Sequence, residues 1–259
     1  MISEIKKLIN RKEFIISLVK ANLKLRYRSS ILGFLWTLIN PLLILTVFTI
    51  IFTKILVGMP IKKFPVFMMA GYLPWNFTLA AIINSTYSLT SNKSLINLIE
   101  IPRESFPIAE VTSQAISFML TIPILFLGMI YFKVKFTFYL FWIPIIFAIQ
   151  YILTLGLSLL CSFWYLFFKD LKHMLEVGLT IVFYATPIFY PLTMVPEKYR
   201  LIYSINPFSS LVVSYQNVVI FGKNPSFFDL IFPLLAGIVI FYLSYSYFIL
   251  LEDNFAEKI

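Results

Sequence analysis

The chain has 259 residues, of which 60% are hydrophobic and only 13% charged, and its mean hydropathy is +0.89. Soluble domains carry about 25% charged residues, so a water-soluble core is excluded and a bilayer is the solvent. The formal charge of +9 does not point to nucleic acid, because eight of the 21 Lys and Arg crowd into the first 28 residues, ahead of the first long apolar run. The apolar runs are long and continuous, which fits spanning helices. A membrane barrel would alternate over segments of about ten residues. The single cysteine, Cys161, rules out a disulfide within the chain.

In chain order, residues 1–29 come first. Ile5, Leu8 and Ile9, then Ile15, Val19 and Leu23, recur at helical spacing against Lys and Arg. This predicts an amphipathic segment lying in the inner interface, with a soluble docking helix as the alternative. No small-residue cleavage site follows, so a cleaved signal peptide is not expected. The first span is predicted over 30–53. Its Asn40-Pro41 pair removes a backbone donor and kinks the helix, and neighbouring helices must compensate. The second span is 66–89, followed by a polar loop over 90–106. The third is 107–132. The fourth, 138–168, is long enough to tilt, break near Pro144 or extend beyond the bilayer. A short polar turn, Lys169–His173, leads to the fifth, 174–190. The sixth is 227–251.

Residues 201–221 are apolar enough for a seventh span, which would put the C-terminus outside. Asn206-Pro207 splits the stretch below the length a span needs, about 20 residues, and Ser209, Ser210, Ser214, Gln216 and Asn217 interrupt it. A re-entrant pair of short helices over 191–222, on the outer side, is the preferred reading. The expected fold class is therefore an all-α integral membrane protein of six spans. Both termini are inside, as the excess of inner Lys and Arg supports.

Several chemistries are missing. No G-x-x-x-x-G-K-[ST] loop occurs, so Walker-type ATP binding is absent. No Cys/His spacing suits a metal, and the only histidine, His173, sits in the polar turn. The acids in apolar regions, Glu110, Glu176 and Asp229, lie near predicted helix ends and read as interface or first-turn residues. Ion coupling is therefore unsupported. Glu100 and Glu104 flank Pro102 and Arg103 in a loop and read as a surface contact, not an acid–base pair. What remains is a membrane body without an engine and with 18% aromatic residues. Most of the Trp and Tyr near span ends read as interfacial belts.

Four segments then resemble, in the same order, the type-2 ABC permeases that export polysaccharide and O-antigen, Wzm-like and teichoic-acid-exporting proteins among them. They are Arg26–Phe52 (RYRSSILGFLWTLINPLLILTVFTIIF), Gly71–Phe77 (GYLPWNF), Ser94–Pro107 (SLINLIEIPRESFP) and Tyr184–Ser209 (YATPIFYPLTMVPEKYRLIYSINPFS). The third departs at Ile101, where the family usually has Phe, and at Leu98, where Lys is common. The resemblance implies a homodimer joined by two separate ATPase subunits. ATP and Mg²⁺ would sit on those partners, and this chain would carry no cofactor or metal. Asn92, Leu95, Ile96, Pro102, Arg103, Glu104 and Phe106 would form the ATPase-coupling segment, stiffened by Pro102 and Pro107. Pro187, Tyr190, Pro191, Pro196, Asn206 and Pro207 would shape an outer gate. The substrate would be a glycan on a polyprenyl diphosphate. Lys24, Arg26 and Arg28 would hold its diphosphate, or else simply anchor lipid headgroups. Trp36, Tyr72, Trp75, Tyr184 and Phe189 would be candidate sugar-path aromatics. The place would be the bacterial inner membrane. Two other functions stay open: a type-2 permease for a drug, lipid or other small solute, and a membrane-embedded transferase.

Overall fold

The structure is a computed structural model that describes residues 11–27, 32–55, 61, 63–98 and 101–250. Among them there is no strand. Helix α1, Lys12–Tyr27, is the amphipathic element. A 3₁₀ turn, Gly33–Leu35, opens α2, Trp36–Ile50, which runs on as a π-helical turn to Ile55. Helix α3 is Phe64–Thr86. Two short helices, α4 (Ser88–Ser91) and α5 (Lys93–Leu98), lie in the polar loop. Helix α6 is Ser105–Tyr131 and α7 is Ile143–Tyr165, the latter preceded by a 3₁₀ segment over Phe138–Trp142. Then come α8, Leu171–Tyr184, α9, Glu197–Ile205, and α10, Pro207–Gln216. The π turn Asn217–Phe221 extends α10, and α11, Phe227–Leu250, closes the described chain.

Among the described residues, five helical stretches are long and apolar enough to cross a membrane: 36–55, 64–86, 105–131, 138–165 and 227–248. Four of them correspond to the first four predicted spans and one to the last. The fifth predicted span, 174–190, is helical only as far as Tyr184. At 1.5 Å per residue the 14-residue α8 reaches about 21 Å, short of a hydrocarbon core of about 30 Å. Beyond it Thr186–Phe189 are buried without regular helix. The fourth span stays one helical stretch that passes from 3₁₀ to α at Ile143, and Pro144 occupies the first turn of α7, where its missing N–H costs nothing.

Helix α3 is the centre. Of its membrane window 78% is buried, against 11% for that of α2. It packs against α6 on one side and α7 on another, and α7 packs closely on α11. That last contact rests on two glycines. A Cβ on Gly156 would stand 2.7 Å from the backbone N of Phe241, and one on Gly237 would stand 3.0 Å from Leu153 Cα. Small residues let helix backbones approach in a bilayer, and Ser244 Oγ uses the approach to donate to the Gly156 carbonyl at 2.9 Å.

Contacts sort the loops into two ends. At one, Phe14 meets Phe106, Lys172 lies over Tyr87, and Phe163 packs on Phe248. At the other, Lys63 donates to the Lys133 carbonyl, Trp142 donates to Asn224, and Gly222 abuts Thr137. Helix α6 ends there in a tight left-handed turn. Lys133 has φ 53°, Lys133 N–H donates to Ile130, and Val134 N–H to Met129.

Helix α10 starts with Phe208 edge-on to Trp75 and ends, through its π turn, with Phe221 against Phe67. Trp75 lies about 16 Å along α3 from Phe64. Helix α10 with its π turn therefore runs from the depth of Trp75 to the second end. Asn206 links it to α9. Its Oδ1 caps α10 by accepting from Phe208 N–H at 3.0 Å, and Pro207 takes the first helical position.

Candidate functional site

A polar cleft runs up one flank of this body, between α1, α2, α3 and α6. It consists of two cavities. The lower, about 310 Å³, is lined by groups that include Asn22, Asn84, Ser91, Asn92 and Glu110. The upper, about 380 Å³, is lined by Trp36, Asn40, Asn76, Gln114 and Thr121 among others. Arg26 and Asn84 belong to both. Helical geometry places the lining. On α6, Glu110, Ser113, Gln114 and Ser117 follow i, i+3, i+4, i+7 and so share one face. On α3, Asn76, Ala80 and Asn84 repeat every four residues.

Arg26 sits at the junction, with both terminal nitrogens engaged. One terminal nitrogen donates to Gln114 Oε1 at 3.0 Å and Ser117 Oγ at 3.1 Å. The other donates to Glu110 Oε1 at 3.0 Å and Ser113 Oγ at 3.4 Å. The carboxylate also accepts from Asn22 Nδ2 at 2.9 Å and Gln114 Nε2 at 2.8 Å. This clasp fastens α1 to α6 and neutralises both charges at the junction of the cleft. Glu110, expected at the membrane interface or in a helix first turn, is thus a tertiary partner. The polar stripe on α6 was the signal for it in the sequence.

Of the residues expected to hold a diphosphate, Arg26 faces the cleft but is committed to Glu110, and Lys24 is exposed on α1. Arg28 lies outside the described residues. In the coupling segment, Asn92 joins α4 to α5 and donates to the Ser88 carbonyl at 2.8 Å. Leu95 and Ile96 pack on an inner apolar cluster, while Pro102 and Arg103 are half-buried. Glu104 and Phe106 point inward, at 8% and 2% exposure, and Phe106 meets Phe14 edge-on. The outer-gate residues come together. Asn206 Nδ2 donates to Thr186 Oγ1, Gln216 Nε2 donates to the Pro187 carbonyl, and the hydroxyls of Tyr190 and Tyr203 lie 2.7 Å apart. Pro191 is buried and Pro196 is exposed at the start of α9. The five candidate sugar-path aromatics divide. Trp36 and Tyr184 present exposed rings. Tyr72, Trp75 and Phe189 are buried in the subunit, Trp75 between Phe183 and Phe208, and Phe189 against Phe48 and Phe183.

No group of three or more His, Cys, Asp or Glu suited to a metal ion occurs among the described residues.

Residues 13–220 match the ABC-2 type transporter family. An O-antigen export system permease protein RfbA of Klebsiella pneumoniae is 31% identical over 95% of this chain and 94% of its own length. Its namesake in Myxococcus xanthus is 32% identical over the whole of both chains.

Proposed function

This chain belongs to the ABC-2 type transporter family, and from that premise we propose that it is the membrane permease of an ATP-driven exporter of lipid-linked polysaccharide. The carrying observation is the end-to-end match to proteins described as O-antigen export permeases. The geometry supports it. A multi-pass helical body holds an amide- and hydroxyl-lined cleft at membrane depth, which suits a hydroxyl-rich cargo, and its sequence offers no nucleotide-binding loop.

In this reading two copies form the conduit and two separate ATPase subunits supply ATP, Mg²⁺ and force. This chain itself binds neither nucleotide nor metal. It resides in the bacterial cytoplasmic membrane with both termini inside. The end carrying α1, α4 and α5 then faces the cytoplasm. Half-buried Pro102 and Arg103, with Asn92, Leu95 and Ile96, form the docking surface. Glu104 and Phe106 support it from within. Lys24 is left to attract the diphosphate, because Arg26 is held by Glu110. The α9–α10 pair covers the outer end and acts as the gate.

Depletion of the chain tests the proposal. The expected result is accumulation of lipid-linked glycan on the cytoplasmic side, together with co-purification of a nucleotide-binding subunit in equal amount. Normal glycan export with accumulation of a drug or lipid would instead assign a small-solute permease. Nucleotide hydrolysis or sugar transfer by the isolated chain would overturn the reading altogether.

A further inference from the structure

We propose that the upper cavity is a saccharide subsite contained within a single protomer, selective for a neutral sugar unit and not for the phosphate that carries it. The proposal rests on the polysaccharide-export reading and adds a location and a chemistry to it.

The charge balance of the cavity comes first. Among the described residues Arg26 is the sole charged one in its lining, and Glu110 holds that guanidinium at 3.0 Å. An anion entering the cavity would have to displace a carboxylate that accepts two other hydrogen bonds, from Asn22 and Gln114. A neutral ligand meets no such penalty. The amides come second. Asn40 on α2 and Asn76 near the middle of α3 line the cavity, and neither side chain has a hydrogen-bond partner among the described residues. An unpaired amide at membrane depth is costly unless water or a ligand satisfies it. Amides donate and accept together, which is the pattern that vicinal hydroxyls require. Ring surface comes third. Phe77 and Phe118 back the cavity, buried in the core, and the Trp36 ring stands 46% exposed on its lining. An apolar face beside convergent polar groups is the usual composition of a small-molecule site, and about 380 Å³ falls in the usual range. Finally, the two cavities share Arg26 and Asn84, so the upper one meets the lower one beside α1. A diphosphate held near α1 would leave its first sugar facing the amides.

The test uses the permease assembled with its ATPase subunits in nanodiscs. Two labelled probes are compared: lipid-linked glycan extracted from the native cell, and bare undecaprenyl diphosphate. Asn40→Leu and Asn76→Leu should each weaken the glycan probe by about tenfold, as expected for one or two lost hydrogen bonds. Binding of bare undecaprenyl diphosphate should stay within about twofold. Asn40→Gln, which restores an amide at the exposed position, should recover most of the loss. Thermal unfolding in detergent checks that each variant is folded. Equal weakening of both probes would make the cavity a lipid or diphosphate site, and unchanged binding of both would make it a void; either overturns the proposal alone. Failure of the wild-type complex to bind the glycan probe at all would overturn the export reading with it.

Discussion

Arg26 shows how much a single side chain can be asked to do at a membrane edge. Its clasp with Glu110 closes the flank between α1 and α6 and also sets the charge of the cleft. The side chains are 26% and 13% exposed, so water screens the pair only partly. Removing one member leaves the other charge and its polar neighbours to find new partners. Glu110→Ala should therefore cost more than Arg26→Met paired with Glu110→Met, in which both charges leave together. The expected difference is about 1–3 kcal/mol, read from unfolding in mixed detergent micelles. Equal costs would mean that the clasp is only a surface contact. Little of this was legible in the sequence. Arg26 was readable as a basic residue before a span, and Glu110 as an acid near a helix end. Their meeting depends on how α1 folds back onto α6, and residue spacing within either helix does not encode that. The α6 stripe of Ser113, Gln114 and Ser117 did encode which face would be polar. The same lesson applies to Trp75 and Phe189. An aromatic near a gate and an aromatic in a core have the same local sequence, and only packing tells them apart.

Helices, by contrast, were mostly legible, because the apolar runs that make them span are continuous and their breaks are chemical. Pro144 starts α7 and Asn206-Pro207 splits α9 from α10 as the sequence predicts. The fifth span was not read correctly at its outer end. Hydropathy stays high through Tyr190, but Pro187 has no N–H to continue α8, and Gln216 from α10 takes the Pro187 carbonyl instead. Partner helices decide such an ending. Glycine placement also carries information at this scale. At Gly156 the neighbouring atom is backbone and cannot turn aside, so Gly156→Ala should push α7 off α11 and break the Ser244 bond. The cost should be about 1–3 kcal/mol. Gly178 in α8 has nothing within 4 Å of its would-be Cβ. Gly178→Ala should be neutral, or stabilising by up to about 1 kcal/mol through helix propensity. Thermal midpoints of the two variants in detergent should move in different directions, and a matching loss in both would refute the close-approach argument.

Across the whole molecule, the described helices pack around α3 and leave α2 and α8 at the side, largely uncovered. For α11 that would be unremarkable, since it is apolar and long enough to face lipid along its length. Helix α8 is different. It is too short to cross alone, and it exposes Glu176 and Thr180 as well as an apolar stripe of Met174, Val177, Ile181 and Tyr184. Polar groups at such a position face protein or water, not lipid. The outer end of α2 is tied to the chain just beyond α8 through Phe48 and Phe52 on Phe189. Phe189 thus links the two helices, and in the proposed dimer a second copy of the chain would cover them. The chain is suited to a direct test, because its one cysteine is buried in α7. Val177→Cys adds a single exposed thiol on the α8 stripe. In native membranes a short bismaleimide should join two such chains into a dimer within minutes. Ile238→Cys, on the exposed side of α11, should remain monomeric under the same treatment. A dimer with Ile238→Cys and none with Val177→Cys would move the interface to the opposite flank, leaving α8 to be covered by something other than its own copy.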